Sequence, residues 1–423
     1  MATPLGNIVN VAKRRVLLML AYLWRRLMFR TRFIAITGSV GKTTTKDLVA
    51  AILSGFPAAT FSNFATENTT DEIARTLVRV RPWHRFAVFE VATGGPGQLR
   101  RSARLVAPDI AVILSVARTH THKFPTLEDT AAEKATLLKF IRKGGVAILN
   151  LDDPRVAAME PGRGIRVNRF GCDDRAGLHA SNVGGRWPER LSLFVTCKSG
   201  KGTGEGAQVQ SQLVGMHWAP ALLAAINVAL ECGMPLKQIA AQISRIPPTA
   251  GRMDPQILPS GAVILRDEFN GSLDTYSAAF EALKTARAKR KILVVTTVSD
   301  SPESWDRRIR RIAVDAAGVV DLLVLIGAKD DTKRAGNAAL AAGLAGNRLR
   351  QFDELHDAAR FLRLELGAGD LLLLRGKTEH HLTRLFYAQL REVACWKPTC
   401  PKRILCDHCP ELFAGVSPVS ELS

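Results

Sequence analysis

Short apolar runs alternate with segments of helical periodicity along most of the chain. The apolar runs that predict β-strands lie at residues 33–36, 85–91, 109–116, 145–151, 262–266, 291–297, 321–327 and 370–374. Apolar residues recur at helical spacing between them, most clearly in residues 47–53, 219–232, 305–317 and 355–366. Strands that alternate with helices are typical of βα units. The pattern therefore predicts an α/β fold class with two successive βα domains.

Changes in composition suggest where these domains end. Residues 160–212 are rich in Gly, Arg and Ser and contain short alternating runs, which predicts a peripheral β region. Pro247, Pro248 and Gly251 mark a boundary between domains. We therefore expect an N-terminal segment at 1–32, a first domain at 33–248, a second domain at 249–390 and a tail at 391–423. The second domain has no GxGxxG motif, so no dinucleotide is expected there.

The N-terminal segment is basic and amphipathic. The first 46 residues contain no Asp or Glu, and the apolar run 16–24 lies between two Arg pairs. Nine apolar residues are too few to cross a bilayer, which takes about 20. On a helical wheel one face is apolar and the other largely basic, with these members: Val16, Leu20, Leu23, Trp24 and Leu27 against Arg14, Arg15, Arg25, Arg26 and Arg30. Such a helix can lie on an anionic membrane or dock on its own domain.

Overall composition narrows the class of partner. The 423 residues are 47% hydrophobic and 23% charged, as in globular proteins, and the formal net charge is +19. This charge favours acidic partners such as nucleotides, anionic lipids or phosphorylated substrates. Aromatic residues make up 6% and do not alternate with basic ones, so we expect no nucleic-acid partner. No signal-peptide cleavage site follows the apolar run, which predicts a cytoplasmic protein, with contact at the inner face of the membrane as an option.

The stretch ITGSVGKTTTK, residues 36–46, carries the strongest chemical signal. It follows an apolar strand and precedes a helix, the arrangement that cradles nucleotide phosphates with backbone N–H groups. Gly38 and Gly41 would let the backbone come close to the phosphates. Lys42 would reach the terminal phosphates, and the Thr43 hydroxyl would bind Mg²⁺. A chance glycine-rich turn is the alternative.

Four cysteines crowd the tail, at Cys395, Cys400, Cys406 and Cys409. Without an export signal a structural disulfide is disfavoured. Four thiolates at this spacing can close a tetrahedral zinc site. An iron–sulfur cluster or free thiols are the alternatives.

Several motifs in order resemble the Mur ligase family over residues 33–390. They are the short TGxxGKT loop, EVATGGPGQL from Glu90, SVARTHTHKFPTLEDTAAEKATLL from Ser115, LNLDDP from Leu149, GRM from Gly251 and DEFN from Asp267. The match is strongest to the D-alanyl-D-alanine-adding members. The resemblance implies a P-loop ATPase domain followed by a Rossmann-like domain. It also implies ATP- and Mg²⁺-dependent joining of an amino acid or short peptide to a carboxylate, through an acyl phosphate, in peptidoglycan or related polymer synthesis.

The resemblance also assigns roles to residues. Thr43 and Glu90 would bind one Mg²⁺, although Glu90 could be a surface carboxylate. His120, with His122 as its rival, would hold a second Mg²⁺ together with Lys134 as a carbamate; a solvated lysine beside Glu133 is the alternative. The implied catalytic set is Lys42, Lys134, His120 and Arg252. The implied nucleotide-binding set is Gly38, Ser39, Gly41, Lys42, Thr43, Thr44, Asn150, Asp152, Arg252, Asp267 and Asn270, where Asn150 and Asp152 could instead form a plain turn.

Some positions depart from the family pattern. Ala221 stands four residues after His217, where the family has Asn, and Arg266 and Phe269 replace an Asp and a Tyr. Residues 375–377 read Arg-Gly-Lys where the family has KGS. Only about 32 residues precede the first strand, so we expect no domain for a UDP-sugar precursor, and the acceptor stays open. A ligase acting on polyamino acids, a nucleotide-dependent regulator and a membrane-docked scaffold are the alternatives.

Overall fold

The computed structural model describes residues 4–63, 67–118, 123–198, 203–269, 273–296, 303–376, 378–398, 400, 402 and 404–413. Two compact units account for the chain. The first comprises residues 1–184, 192–212 and 218–246, and the second comprises residues 185–191, 213–217 and 247–423.

The first unit contains a nine-stranded sheet within its described residues. Its strands are β1 (Arg32–Thr37), β2 (Ala59–Ser62), β3 (His84–Glu90), β4 (Ile110–Ile113), β5 (Val146–Asn150), β6 (Arg166–Gly171), β7 (Leu178–Gly184), β8 (Ser192–Cys197) and β9 (Gly206–Gln210). Their order across the sheet is β2-β3-β1-β4-β5-β6-β7-β8-β9. The strands from β2 to β7 pair in parallel, whereas β7, β8 and β9 pair antiparallel. The central strands are buried along nearly their whole length because helices cover both faces.

The helices of this unit are α1 (Pro4–Leu27), α2 (Lys42–Leu53), α3 (Thr70–Leu77), α4 (Gln98–Val106), α5 (Leu127–Ala135), α6 (Pro154–Ala157), α7 (Ala219–Glu231) and α8 (Leu236–Ile243). One group, α2, α7 and α8, packs together, and α1, α3 and α4 form another. Capping boxes begin two of the helices: Thr69 with Glu72 at α3, and Thr126 with Asp129 at α5. Each box satisfies backbone donors that the first turn of a helix leaves unpaired.

Helix α1 is docked on the first unit through one face. Ala21 and Met28 belong to the hydrophobic core, and the Trp24 indole N–H donates to the Val80 carbonyl at 2.9 Å. Arg25 was expected on the polar face, but it is 3% exposed and donates to the carbonyls of Val106 (2.6 Å) and Ala107 (2.7 Å). Val106 and Ala107 lie at the C-terminal end of α4, where the backbone carbonyl oxygens have no partner within the helix. The Arg25 guanidinium therefore stabilises this helix terminus.

The second unit contains a six-stranded sheet within its described residues. Its strands are β10 (Asp254–Ile257), β11 (Val263–Asp267), β12 (Arg290–Val295), β13 (Leu322–Ile326), β14 (Leu349–Phe352) and β15 (Asp370–Arg375). Its helices are α9 (Leu273–Thr285), α10 (Trp305–Ala317), α11 (Lys329–Ala341), α12 (Leu355–Glu365) and α13 (Thr383–Tyr387). The strand order is β10-β11-β15-β12-β13-β14, and only the β10–β11 pair among these is antiparallel.

The described part of the tail packs on this second unit. Val393, Cys406 and Leu412 are buried in the same core as α12 and α13. The buried Arg266 guanidinium donates to Glu268 at 2.7 Å and to Asp407 of the tail at 2.7 Å. The tail therefore completes a hydrophobic core and a buried ion cluster.

Candidate functional site

The turn between β1 and α2 lies at the carboxyl edge of the first sheet. Gly41 has φ 85°, which glycine adopts without strain, and it directly precedes the first residue of α2. A Cβ added at Gly38 would lie 2.9 Å from the Leu114 Cβ, so a larger residue would collide with the segment after β4. The two glycines keep the backbone of the turn bare at a helix N-terminus, which is the geometry that binds phosphate.

The segment after β4 holds this turn in place. The Ser39 N–H donates to the Ser115 carbonyl at 2.9 Å, and the Ala117 N–H donates to the Ser39 hydroxyl at 2.8 Å. The Lys42 ammonium donates to the carbonyls of Gly38 (2.9 Å) and Ser39 (3.2 Å). Lys42 therefore places its charge over the turn where phosphates are expected.

Thr43 and Glu90 meet at this edge. The Thr43 hydroxyl donates to Glu90 Oε2 at 2.8 Å, and the Asn68 amide donates to Glu90 Oε1 at 2.8 Å. The Glu90 backbone N–H donates to the Asn63 side chain at 2.9 Å. Glu90 is 2% exposed, so the alternative of a surface carboxylate does not hold. A hydroxyl and a carboxylate oriented this closely are hard oxygen ligands of the kind that Mg²⁺ prefers.

Two buried hydroxyls near the turn test whether a nucleotide would fit. The side chains of Thr37 and Thr44 have no hydrogen-bond partner for their hydroxyl oxygens in the part of the chain that the structure describes. Buried hydroxyls without partners are rare and indicate a place for an ion, a water or a ligand. Together with the bare turn and the Thr43–Glu90 pair, they fit a nucleotide phosphate with Mg²⁺.

Lys134 is buried on α5 with 4% of its surface exposed. Burial, followed by the charge of the nearby Lys42 ammonium, lowers the pKa of Lys134 to about 7. Glu133, its expected solvent-side neighbour, instead accepts from the N–H groups of Gly97 and Leu99, each at 2.9 Å. The alternative of a solvated Lys134 paired with Glu133 therefore does not hold, since Glu133 caps α4 and Lys134 lies inside.

Asn150 and Asp152 make contacts that favour the turn alternative. The Asn150 amide donates to the Leu114 carbonyl at 2.8 Å, and its oxygen accepts from the Asp152 N–H at 3.0 Å. The Asp152 carboxylate accepts from the N–H groups of Cys172 (2.8 Å) and Asp173 (3.0 Å). The Asp152 carboxylate is thus engaged by backbone donors of the β6–β7 connection.

The second unit carries the other expected residues. Asp267 is buried, accepts from the Met253 N–H at 3.2 Å and pairs with the buried Arg375. The Arg252 guanidinium lies 5.1 Å from the centre of the Phe269 ring. Burial, followed by the charge of Arg375, lowers the pKa of His217 to about 4, so its imidazole is neutral at pH 7. His120, His122, Asn270 and Lys377 lie outside the described residues.

The four tail cysteines line one small cavity of ≈ 10 Å³. His381 and Lys402 also border this cavity: His381 Nδ1 lies 3.3 Å from Cys406 Sγ, and Lys402 Nζ lies 3.6 Å from Cys409 Sγ. Over the described stretches of the chain, no three His, Cys, Asp or Glu side chains are grouped as a formed metal site. The cysteines therefore share one space without closing around a common centre.

Sequence reasoning missed the residues that orient Glu90. Asn63 and Asn68 follow β2, which pairs in parallel with β3, so both reach the same sheet edge as Glu90. The only signal in the sequence is a pair of polar amides after an apolar strand. The role of Glu133 as a cap for α4 was also missed, because its partners lie 34 and 36 residues away.

Two models of known protein families match this chain. Residues 36–229 match the Mur ligase middle domain, and residues 251–378 match the glutamate ligase domain of Mur ligases. The chain belongs to the Mur ligase family. The first of these matches includes the end of β1, the glycine turn, Glu90 and Lys134, and the second includes Arg252, Asp267 and Arg375.

Two curated relatives illustrate the similarity within the family. The UDP-N-acetylmuramoyl-tripeptide–D-alanyl-D-alanine ligase of Mycobacterium bovis is 28% identical over 392 residues, which cover 86% of this chain and 73% of that protein. The enzyme of the same name from Escherichia coli is 25% identical over 313 residues, covering 72% of this chain and 66% of that protein.

Solved structures confirm the fold. MurF from Acinetobacter baumannii superimposes with a TM-score of 0.80 at 23% identity, covering 90% of this chain and 81% of that chain. MurF from Thermotoga maritima, solved in complex with ADP, gives a TM-score of 0.74 at 18% identity, covering 89% and 83%. The predicted α/β fold class and family are thereby confirmed, and with the family the enzyme class, an ATP-dependent acid–amino-acid ligase. The roles of individual residues stay predictions.

Proposed function

We propose that this Mur ligase activates a carboxylate with ATP and joins it to the amine of an amino acid or short peptide. A carboxylate oxygen attacks the γ-phosphorus of ATP and ADP leaves, which gives an acyl phosphate. The amine then attacks the acyl carbon, phosphate leaves, and an amide bond remains. The observation that carries the proposal is the glycine turn with Lys42 above it and the Thr43–Glu90 pair beside it.

Each of these groups has a part in the phosphoryl transfer. Lys42 would stabilise the negative charge that develops on the transferring phosphoryl group. Thr43 and Glu90 would hold Mg²⁺, with Asn68 bonded to the Glu90 carboxylate and Asn63 bonded to the Glu90 backbone N–H. The metal would polarise the phosphate oxygens when bound. Arg252, Asp267 and Asn270 are proposed to act on the nucleotide from the second domain, and His120 to help hold a second Mg²⁺.

Lys134 is proposed to act as a carbamate. Only an unprotonated amine can attack the carbon of CO₂, and a pKa of about 7 leaves much of Lys134 unprotonated near neutral pH. The neutral amine adds to CO₂, forms a new N–C bond and releases one proton to give the anionic carbamate; counted from the ammonium form, two protons leave and a cation is replaced by an anion. The repulsion between Lys134 and Lys42 would then turn into attraction, and a hard oxygen ligand for Mg²⁺ would appear.

The substrate class follows from the relatives only as a proposal. The two ligases compared above are named for adding D-alanyl-D-alanine to a UDP-linked tripeptide. We propose that this chain likewise takes a peptide carboxylate as acceptor and a short peptide or amino acid as donor, within cell-wall synthesis in the cytoplasm. Polyamino-acid ligation is the second candidate, since residues 375–377 depart from the family's KGS element on the amino-acid side.

Substitution of Lys134 tests the mechanism. Lys134→Ala should lose ligase activity, and acetate or formate should partly restore it by taking the vacated ligand position. Lys134→Arg should stay inactive, because a guanidinium keeps the charge but cannot form a carbamate. Lys139→Ala, at an exposed lysine close by in the chain, is the matched control and should keep full activity.

Product formation in the same assay decides between ligase and regulator. ADP release should depend on adding both a carboxylate and an amine, which a panel of peptide pairs can establish. Amine-independent ADP release, together with full activity of Lys134→Arg, would overturn the ligase proposal in favour of a nucleotide-dependent regulator.

We also propose that the tail binds one zinc ion through Cys395, Cys400, Cys406 and Cys409. Support comes from the four cysteines lining one cavity of ≈ 10 Å³, about the volume that one water molecule needs, and zinc binding would draw their sulfur atoms together around the ion. Tetrahedral thiolate sites of this kind stabilise small folded segments. Elemental analysis of the purified chain should find about one zinc per chain, lost in Cys406→Ser with Cys409→Ser. Iron with sulfide, or no metal, would reject the assignment.

A further inference from the structure

Helix α1 presents a second face that the first unit does not cover. Its inner face is docked, as described above, but the outer face carries a row of apolar side chains at helical spacing: Val16, Met19, Leu20, Leu23 and Leu27. Each of these is between 49% and 61% exposed, and Phe29, just beyond the helix, is 70% exposed. A contiguous exposed apolar surface of this kind usually marks a site of interaction. No described helix is long and apolar enough to cross a membrane.

Basic residues border this apolar row. Arg15, Arg26 and Arg30 are exposed along the helix and after it. Beyond the helix end lies an open hollow of ≈ 270 Å³, bordered by basic residues from two segments, Arg30, Arg32 and Lys143. Its one acid, Asp109, already pairs with Arg25 (3.5 Å) and Arg142 (3.3 Å). The residues that border the hollow, its basic rim, therefore carry a net positive charge.

The hollow is distinct from the nucleotide site. It lies at the start of β1, whereas the glycine turn follows the last residue of that strand. Six residues of strand separate the two by roughly 20 Å. The basic rim consequently has no part in binding the phosphates of ATP.

We propose that the outer face of α1 docks on an anionic lipid bilayer, with Val16, Leu20, Leu23 and Leu27 in the headgroup region and the arginines on lipid phosphates. The occupant follows from charge complementarity, because an apolar row with an arginine rim matches an interface that is apolar within and negative at its surface. The inner face stays on the protein core, so the helix lies along the membrane while the domain remains folded upon it.

Vesicle binding by the full-length chain tests this directly. The chain should sediment with vesicles of phosphatidylglycerol and phosphatidylcholine, more weakly with pure phosphatidylcholine, and more weakly again at about 0.5 M salt. Leu20→Ser with Leu23→Ser should reduce binding on the order of tenfold or more. The matched control is Ile257→Ser with Leu364→Ser, which alters two apolar residues that are 74% and 91% exposed elsewhere, and binding should not change.

A second pair of variants separates charge from apolar insertion. Arg15→Gln with Arg30→Gln should weaken binding to the anionic vesicles on the order of tenfold and leave binding to phosphatidylcholine unchanged. Arg348→Gln with Arg363→Gln, at exposed arginines of the second unit, is the control of equal charge and should bind as wild type. Thermal midpoints equal to wild type would show that the substituted faces are not part of the core.

Two results would overturn the proposal. Equal sedimentation of the Leu20→Ser with Leu23→Ser variant and wild type would remove the apolar row from binding. A full-length dimer in analytical ultracentrifugation, lost in that variant while vesicles bind neither protein, would assign the face to a second copy of the chain. ATP turnover measured without lipid should be the same in all these variants, so this proposal and the ligase proposal fail separately.

Discussion

Replacing Lys134 with methionine should make the folded protein more stable at neutral pH while abolishing ligase activity. The Lys134 side chain is 4% exposed, and burial, followed by the charge of Lys42, lowers its pKa from 10.5 to about 7. One pKa unit corresponds to about 1.4 kcal/mol. At pH 7 the buried amine therefore lowers the free energy of unfolding by on the order of 4 kcal/mol. Methionine is of similar size and uncharged, so Lys134→Met should remove this destabilisation.

The pH dependence gives the prediction its sign. Between the folded pKa of about 7 and the unfolded pKa of 10.5, the unfolded chain carries a proton on Lys134 that the folded chain lacks. The free energy of unfolding of wild type should thus rise with pH between about 7 and 10.5. Below pH 7 the destabilisation caused by the buried Lys134 is at its full size. The stability advantage of Lys134→Met should shrink from about 4 kcal/mol at pH 7 to about 1 kcal/mol near pH 9.5.

Urea unfolding at the two pH values, in CO₂-free buffer so that no carbamate forms, measures this difference. Lys139→Met replaces an exposed lysine nearby and should change stability by less than about 0.5 kcal/mol at either pH. A Lys134→Met variant no more stable than wild type at pH 7, or with an advantage independent of pH, would refute the argument from burial. Retained ligase activity in this variant would refute the carbamate role alone.

Three further changes test other parts of the structure. Lys42→Ala should lower ATP turnover on the order of 10²-fold or more in a phosphate-release assay, since one charged contact to the transferring group is lost. Burial raises the pKa of Asp254 from 3.8 to about 6, so the free-energy cost of its negative charge in the folded state grows between pH 4 and pH 6. Asp254→Asn should therefore be more stable than wild type by up to about 3 kcal/mol above pH 6 and equally stable below pH 4, as measured by urea unfolding. A Cβ at Gly171 would lie 2.4 Å from Asp152 Oδ1, so Gly171→Ala should cost about 1–3 kcal/mol in thermal unfolding, whereas Gly162→Ala, with nothing within 4 Å, should not.

The strands of the central sheet could be predicted because their apolar runs are continuous. Residues 85–91 predicted a strand and β3 spans His84–Glu90, which places Glu90 at the sheet edge as expected. The apolar run 109–116 predicted a longer strand than the structure contains, because β4 ends at Ile113. Leu114 and Val116 are buried for another reason: Leu114 packs against Gly38, and the Val116 N–H donates to Asp153 at 2.7 Å. Apolar pattern reports burial, and burial occurs outside strands as well.

Contacts between residues far apart in the chain could not be predicted. Asn68 orients Glu90 from 22 residues away, and Glu133 caps α4 from more than 30 residues away. The helical wheel of α1 placed Val16, Leu20, Leu23 and Leu27 on one apolar face, and these four are exposed. It was wrong for Trp24, which packs on the core and donates to Val80, and for Arg25, which it placed on the polar side. A wheel describes one helix alone, and the α4 carbonyls that receive Arg25 come from another element.

The ion cluster that joins Arg266, Glu268 and Asp407 has a consequence for anyone who shortens this protein. The family match ends at residue 378, which suggests a natural place to stop a recombinant fragment. Such a fragment would lack α13 and every tail residue in the core, and it would leave Arg266 with one carboxylate in place of two. Losing one partner of a buried ion cluster typically costs about 3–5 kcal/mol. The second compact unit therefore extends beyond residue 378, where the family match ends.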